Sequence, residues 1–275
     1  MGPERYGRGR GAARPRGDHA AVAPRQCRWP RWGAGLLAAL AIALGLGAAP
    51  ARAQAPALSQ EAIESIVREY LLSHPEVIME SIRRAQERDK EAAKTQSRQA
   101  VQANQQALFQ DPESPLAGNP AGDVTIVEFF DYRCPYCRRM EPLLKTLLAE
   151  DRGIRLVYKE LPILGPESVA ASRAALAARG QGKYREAHDL LIGASGPFTP
   201  DTLATLLAGV GVDGERLRAD MEAPEIAALL RRELALAEAL GIDGTPAFVV
   251  GGELVIGAMD IAVLRDLVSK ARRTP

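Results

Sequence analysis

Two cysteines, Cys134 and Cys137, stand three residues apart where an apolar run gives way to a helical pattern, and this placement restricts the fold more than any other feature. Val124 to Phe130 reads as a buried strand interrupted by Glu128. Cys134-Pro135-Tyr136-Cys137 follows, and an amphipathic helix continues to about Ala149. Cys134 therefore falls at a helix N-terminus, where unpaired N–H groups and the positive end of the helix dipole favour a thiolate over a thiol. Cys137 falls one turn inside, shielded from solvent and close enough to attack back. This suits Cys134 as nucleophile and Cys137 as resolving thiol, with a mixed disulfide to a substrate between the two events. The Pro135-Tyr136 dipeptide tunes that balance. A disulfide closing so small a loop adds little stability, so the pair reads as chemical rather than structural. A zinc half-site is the alternative, but a structural zinc needs four ligands. Past the leader, the only other cysteine or histidine ligands are His74 and His188. The pattern thus calls for no cofactor and no metal.

The third cysteine, Cys27, belongs to a different kind of segment. Residues 1–32 are rich in Arg, Gly and Pro; Gly33 to Ala51 is uncharged and dominated by Ala, Leu and Gly, and ends in Ala51-Arg52-Ala53. A basic start, an apolar middle and a small-residue exit make residues 1–53 a secretory signal peptide, with an uncleaved membrane anchor as the alternative. Export to the periplasm follows, where a disulfide can persist. Charge agrees with the division. Residues 1–53 hold nine of the 35 Lys and Arg but two of the 34 Asp and Glu, which leaves the remainder with 26 basic against 32 acidic side chains. An acidic body disfavours nucleic acid as a partner.

Residues 54–110 form an N-terminal helical region. Ile63, Ile66, Val67, Tyr70 and Leu71 share one helix face. Ser73-His74-Pro75-Glu76 restarts the helix, with Ser73 as cap and Glu76 completing a capping box. Arg88 to Gln106 is very polar and reads as a solvated helix or a connector. Pro, Gly and Asn at 112–120 mark a linker over 111–121. Beyond it, residues 122–275 run strand, helix, strand (Ile154 to Lys159), a helical block over about 165–241, a hairpin around Gly251-Gly252, and a last helix from Ile261 to Arg272. That order predicts a thioredoxin-like α/β fold with a helical insertion, preceded by an N-terminal helical oligomerisation segment. His188, beside Asp189 in the insertion, reads as a surface histidine. His74 is explained by its place in a helix first turn. Arg138-Arg139 either raises the local potential or makes a solvated face.

Glu128-Phe129-Phe130-Asp131-Tyr132-Arg133-Cys134-Pro135-Tyr136-Cys137 resembles the strand and active-site segment of DsbA-type thiol–disulfide oxidoreductases, and Gly244-Thr245-Pro246-Ala247-Phe248 resembles the cis-proline loop of the thioredoxin superfamily. Ile66 to Leu72 and His74 to Ile78 resemble the N-terminal region of the ScsC-like branch, which is associated with copper tolerance and in which this region mediates trimerisation. The resemblance implies that Pro246 is cis and faces the Cys134 sulfur, leaving the Thr245 backbone to pair with an extended substrate. It also implies a buried acid and lysine at Glu128 and Lys159, which would tune Cys137 and relay its proton. The other reading of Glu128 is a structural ion pair or a strand-end charge in solvent.

Two functional classes follow. In the first, the chain is an exported thiol–disulfide oxidoreductase acting on cysteine-containing client proteins and kept reduced or oxidised by a membrane redox partner. It works either as a disulfide isomerase in a homotrimer, which the 54–110 segment favours, or as a monomeric oxidase. In the second, it is a periplasmic copper carrier holding Cu(I) between Cys134 and Cys137. A cytosolic glutaredoxin shares the Cys-Pro-Tyr-Cys string, but the leader and the insertion argue against it.

Overall fold

The computed structural model describes residues 58–273. The leader over 1–53, with Cys27 and its Ala51-Arg52-Ala53 exit, lies outside the described residues. Helix α1 (Gln60–Ser73), helix α2 (Pro75–Ala103) and the short α3 (Gln105–Phe109) realise the N-terminal helical periodicity. The break between the first two differs from the expected capping box. Ser73 is the last residue of α1, and its hydroxyl donates back to the carbonyls of Glu69 and Tyr70 at 2.7 and 3.1 Å rather than forward into α2. His74 occupies the cap position of α2 with no side-chain cap, and Pro75 opens the helix.

Helix α1 buries none of its residues, and Ile63, Ile66, Val67, Tyr70, Val77, Ile78 and Ile82 stand exposed along α1 and the start of α2. The polar stretch after Arg88 is continuous helix, and its far end is seated. Val101 and Leu108 are buried in one cluster with Val127, Phe129, Leu236 and Val249. The packed unit therefore begins well before residue 111.

Strands β1 (Leu116–Gly118), β2 (Val124–Phe130), β3 (Ile154–Glu160), β4 (Ala247–Val250) and β5 (Glu253–Ile256) form one sheet in the order β1-β3-β2-β4-β5. Strands β2 and β3 are parallel and are joined through α4 (Pro135–Glu150); the other pairings are antiparallel. Residues 111–121, expected as a linker, instead contain β1, with Leu116 opposite Val157 and Gly118 opposite Arg155. Lys159 Nζ ties down the approach to β1, donating to Asp111 at 3.0 Å and Ser114 at 2.6 Å. A three-residue edge strand has no room for an alternation pattern, and its Pro and Gly neighbours read as punctuation.

Strand β2 is central and covered on both faces, which is why it reads as a near-continuous apolar run. One face packs against α4, the insertion helices α5 (Pro166–Arg179), α6 (Tyr184–Gly193), α7 (Pro200–Ala208) and α8 (Gly214–Met221), and α10 (Ile261–Arg273). The other packs against the end of α2, α3 and the C-terminal part of α9 (Pro224–Leu240). The β4–β5 hairpin turns at Gly251 and Gly252, with φ of +55° and +81°. A Cβ on Gly251 would lie 2.6 Å from that of Ala271, so the turn needs glycine for space as well as for conformation. The result is the thioredoxin-like α/β fold with a helical insertion. Among the described residues, no helix is long and apolar enough to cross a membrane.

Candidate active site

Strand β2 ends at Phe130, and the chain turns through Asp131, Tyr132 and Arg133 into α4. Buried Asp131 organises the turn. Its backbone oxygen accepts the Cys134 N–H at 3.0 Å, and Oδ1 accepts the Arg133 N–H at 2.7 Å. Oδ2 accepts the N–H groups of Ile163 and Leu164 at 2.9 and 3.0 Å. One carboxylate thus joins the Cys134 turn to the loop after β3. Cys134 keeps an extended backbone, with φ −75° and ψ 118°, as the N-cap of α4, and Pro135 follows where a missing N–H costs nothing. The Thr245–Pro246 peptide bond is cis. Across the gap the Cys134 thiol donates to the Thr245 carbonyl at 3.2 Å.

Both cysteines are free thiols, and exposure does not separate them: Cys134 is 3% and Cys137 2% exposed. Surroundings mark out Cys137. Burial first, and then the charge of Glu128, push its thiol far above the ordinary cysteine range. Glu128 shares the sheet face of Ile126 and Phe130, as alternation predicts. Its own carboxyl is held well above the usual carboxylate range by burial and then by the charge of Glu141, with Arg185 opposing.

The expected pairing of Glu128 with Lys159 is not what the structure shows. The parallel register sets Glu128 beside Tyr158 and Phe129 beside Lys159. Lys159 therefore points to the opposite face of the sheet, toward Asp111, Ser114 and Glu233, whose Oε1 lies 3.8 Å from Nζ. Two side chains one register step apart on adjacent strands lie on opposite sides of a sheet, a fact hidden until the register is known.

His188 is also not at the surface. It is 1% exposed, with Nδ1 3.1 Å from the Tyr132 hydroxyl and Nε2 3.3 Å from Glu141. The rim of the site is half-apolar. Tyr136 is exposed, with the Arg139 guanidinium 4.6 Å from its ring centre, and Ile163 and Leu164 are exposed on the loop that Asp131 holds. Arg138 turns to the Tyr132 carbonyl at 3.4 Å. Arg133 reaches into the insertion, to the Gly196 carbonyl at 3.0 Å and Glu167 at 3.2 Å.

Residues 125–269 match the DSBA-like thioredoxin domain. The chain belongs to the DSBA-like thioredoxin family. Residues 60–92 match the N-terminal domain of copper resistance protein ScsC. A thioredoxin-like oxidoreductase from Silicibacter pomeroyi is 49% identical, with a TM-score of 0.61, over 62% of this chain and 99% of that one. ScsC from Proteus mirabilis, in a transitional conformation, is 28% identical with a TM-score of 0.60, over 78% of this chain and 97% of that one. The thiol:disulfide interchange protein DsbA of Bordetella parapertussis is 26% identical over 58% of this chain and 79% of its own length. The chain also matches longer curated relatives of which it spans a quarter, such as the Na(+)/H(+) antiporter NhaA 1 of Salinispora arenicola, 32% identical over 164 residues, 58% of this chain and 25% of that protein.

Within this DSBA-like domain, sequence reasoning missed two participants. Asp131 carried a legible signal, being an Asp at the exit of a buried strand and two residues before the N–H it binds, as in an Asx turn. His188 carried one too, since it shares a helix face with Tyr184, Ala187 and Leu191, all of them buried.

Proposed function

We propose that the chain is an exported thiol–disulfide oxidoreductase that reshuffles disulfides in periplasmic client proteins, working as an isomerase in a homotrimer kept reduced by a membrane redox partner. The observation that carries the reading is the Cys134 sulfur 3.2 Å from the Thr245 carbonyl at the cis-proline, with the high-lying Cys137 thiol one turn behind it. In this mechanism the Cys134 thiolate attacks one sulfur of a client disulfide. That S–S bond breaks, a Cys134–client disulfide forms, and the other client sulfur leaves as a thiolate. A different client thiolate then displaces Cys134, which is isomerisation with no net electron transfer. Alternatively, Cys137 gives its proton to ionised Glu128 and attacks the Cys134 sulfur, expelling the client as a thiolate. The client has then gained two electrons and the protein holds a Cys134–Cys137 disulfide, which the partner reduces.

Glu128→Gln removes the acceptor in that last step. Release of a mixed disulfide should slow by about tenfold near neutral pH, and the rate that remains should no longer follow the ionisation of a carboxyl. The measurement is the pH profile of glutathione release from a Cys134 adduct, and an unchanged profile would refute the relay.

The exposed apolar stripe on α1 and early α2 supports the oligomer, because large aliphatic side chains at helical spacing gain most by meeting copies of themselves. Val101 and Leu108 belong to the core, so a test deletion has to stop near residue 92. Light scattering should give a trimer for the chain without its leader and a monomer once residues 54–92 are also removed. A monomer before the deletion would overturn the assignment.

A further inference from the structure

The buried polar chain beneath α4 has no role in the mechanism above, and its geometry contains a choice that the atoms must make. Glu160 is fully buried. Its Oε1 lies 3.1 Å from the Tyr132 hydroxyl and 2.8 Å from that of Tyr184, and its Oε2 lies 2.7 Å from the Ser172 hydroxyl. The Tyr132 hydroxyl also lies 3.1 Å from His188 Nδ1, and Nε2 on the far side of that ring faces Glu141 at 3.3 Å. A tyrosine has one hydroxyl proton. It can donate to Glu160 or to His188, not to both, so one of these two neighbours must donate to Tyr132 in return.

Against burial, His188, Arg185 and Lys145 hold the Glu141 carboxyl below its usual range, and with Glu141 ionised two arrangements satisfy every group. In the first, protonated Glu160 donates to the Tyr132 oxygen, Tyr132 donates to Nδ1, and the Nε2–H donates to the Glu141 carboxylate. In the second, Glu160 is a carboxylate receiving three hydroxyl protons, from Tyr132, Tyr184 and Ser172, while Nδ1–H donates to Tyr132 and Nε2–H to Glu141. The two differ by one proton passed from Glu160 through the Tyr132 hydroxyl to His188. One O–H bond of Glu160 breaks, one N–H bond of His188 forms, the Tyr132 hydroxyl exchanges its proton, and no electrons move. Because both forms leave no buried donor or acceptor unmet, neither carries the usual penalty of an unpaired polar group.

We infer that Glu160, Tyr132 and His188 form an internal proton shuttle that sets the charge beside Glu128 by way of Glu141, making them positioning residues for the proton that leaves Cys137. The inference rests on the exchange reaction proposed above. Glu141 lies four residues beyond Cys137 on α4, one turn along the same buried face. Its charge is the strongest of those holding the Glu128 carboxyl up, and that of Glu128 is the strongest of those holding the Cys137 thiol up, burial aside in each case. An imidazolium against Glu141 offsets that charge, and Glu141 acts on Glu128 more strongly than does the anion then left on Glu160, so Glu128 ionises more readily and becomes the proton acceptor that Cys137 needs.

The surroundings fit a stored proton. Burial pushes the Glu160 carboxyl up to about 8 despite its three hydroxyl donors, so it holds a proton at neutral pH. Burial and the Glu160 charge hold the Tyr132 phenol well above its ordinary range, so Tyr132 passes protons without carrying the charge itself. The other charged and titratable groups around the chain are Asp131 and Glu233 beside Glu160, Lys145 on α4, Tyr158 on β3, and Arg185 and Asp189 on α6. Arg185 and Lys145 both reach Glu141 and Asp189, and the Arg185 guanidinium also donates to the Tyr158 hydroxyl.

The test reads the release of glutathione from a Cys134 adduct as a function of pH in the wild-type protein, Tyr132→Phe and Glu160→Gln. Each variant cuts the shuttle at a different atom. Both should move the profile to higher pH and slow release at pH 7 by about tenfold, the effect of one lost charge near a titrating group. In the unsubstituted protein, the ring-nitrogen signals of His188 in 15N spectra should differ between the reduced and the Cys134–Cys137 disulfide forms, while exposed His74 stays constant. The inference is overturned if the wild type releases glutathione normally and the folded variants keep its profile, or, should the variants not fold, if the His188 signals are the same in both redox states. A wild-type protein that neither forms nor clears the adduct would instead sink the exchange reaction itself.

Discussion

Cys134→Ser should reduce the refolding of scrambled ribonuclease to the uncatalysed background, and Cys137→Ser should turn the protein into a trap that accumulates client in covalent complex. The two outcomes differ because the proposed exchange gives the sulfurs different tasks. The reaction begins with a thiolate attacking a disulfide, and a serine hydroxyl at residue 134 offers no comparable nucleophile at neutral pH. Serine is close to cysteine in size, and its hydroxyl can keep the bond to the Thr245 carbonyl, so the variant should fold. Cys137 has the opposite profile, a buried thiol held protonated by its surroundings. In the proposed mechanism its task comes after capture, when it attacks Cys134 and frees the client. Without it, only an outside thiol can clear the mixed disulfide. Non-reducing electrophoresis should show adducts in Cys137→Ser and none in the double variant. Catalysis that survives Cys134→Ser would end the enzymatic interpretation.

The second large effect is on stability. Asp131→Ala should cost about 3 kcal/mol, since three backbone N–H groups lose a charged acceptor and two of them can recover part of the loss from water. For a domain of this size that corresponds to a fall in Tm of about 10 °C, readable by calorimetry. The exchange rate should fall by more than the unfolded fraction explains, because the same carboxylate fixes the turn before Cys134 and the loop bearing Ile163 and Leu164. Asp131→Asn keeps one accepting oxygen and should recover part of both losses. A stability change below about 0.5 kcal/mol for the alanine variant would show that the turn is held by other contacts.

What could be read in advance follows from the range of the forces involved. The elements on either side of Cys134 were legible because a central strand buried on both faces must be apolar and the helix that follows must be amphipathic. The cysteine pair was legible for the same local reason, as it sits where one pattern stops and the other starts. The helical arm was legible by period, but not its seat. Val101 and Leu108 are isolated apolar residues in a polar stretch, and nothing nearby in the chain says that they meet Val127 and Leu236. Strand β1 reads as punctuation in the sequence because its pairing with β3 is a property of two distant segments.

Sequence alone determined a thioredoxin-like core, its insertion, and which sulfur begins the helix, since periodicity, caps and turns act over a few residues and leave their mark in consecutive letters. Tertiary structure alone decided which charges meet. By sequence Glu128 and Lys159 are natural partners, but the strand register puts them on opposite faces; by sequence His188 is a surface residue, but α6 brings it under Phe130 and against Tyr132. Charge pairing depends on distances of a few ångströms between segments 28 to 56 residues apart, as in the bonds from Tyr132 to Glu160 and His188, and such distances exist only once the chain has packed.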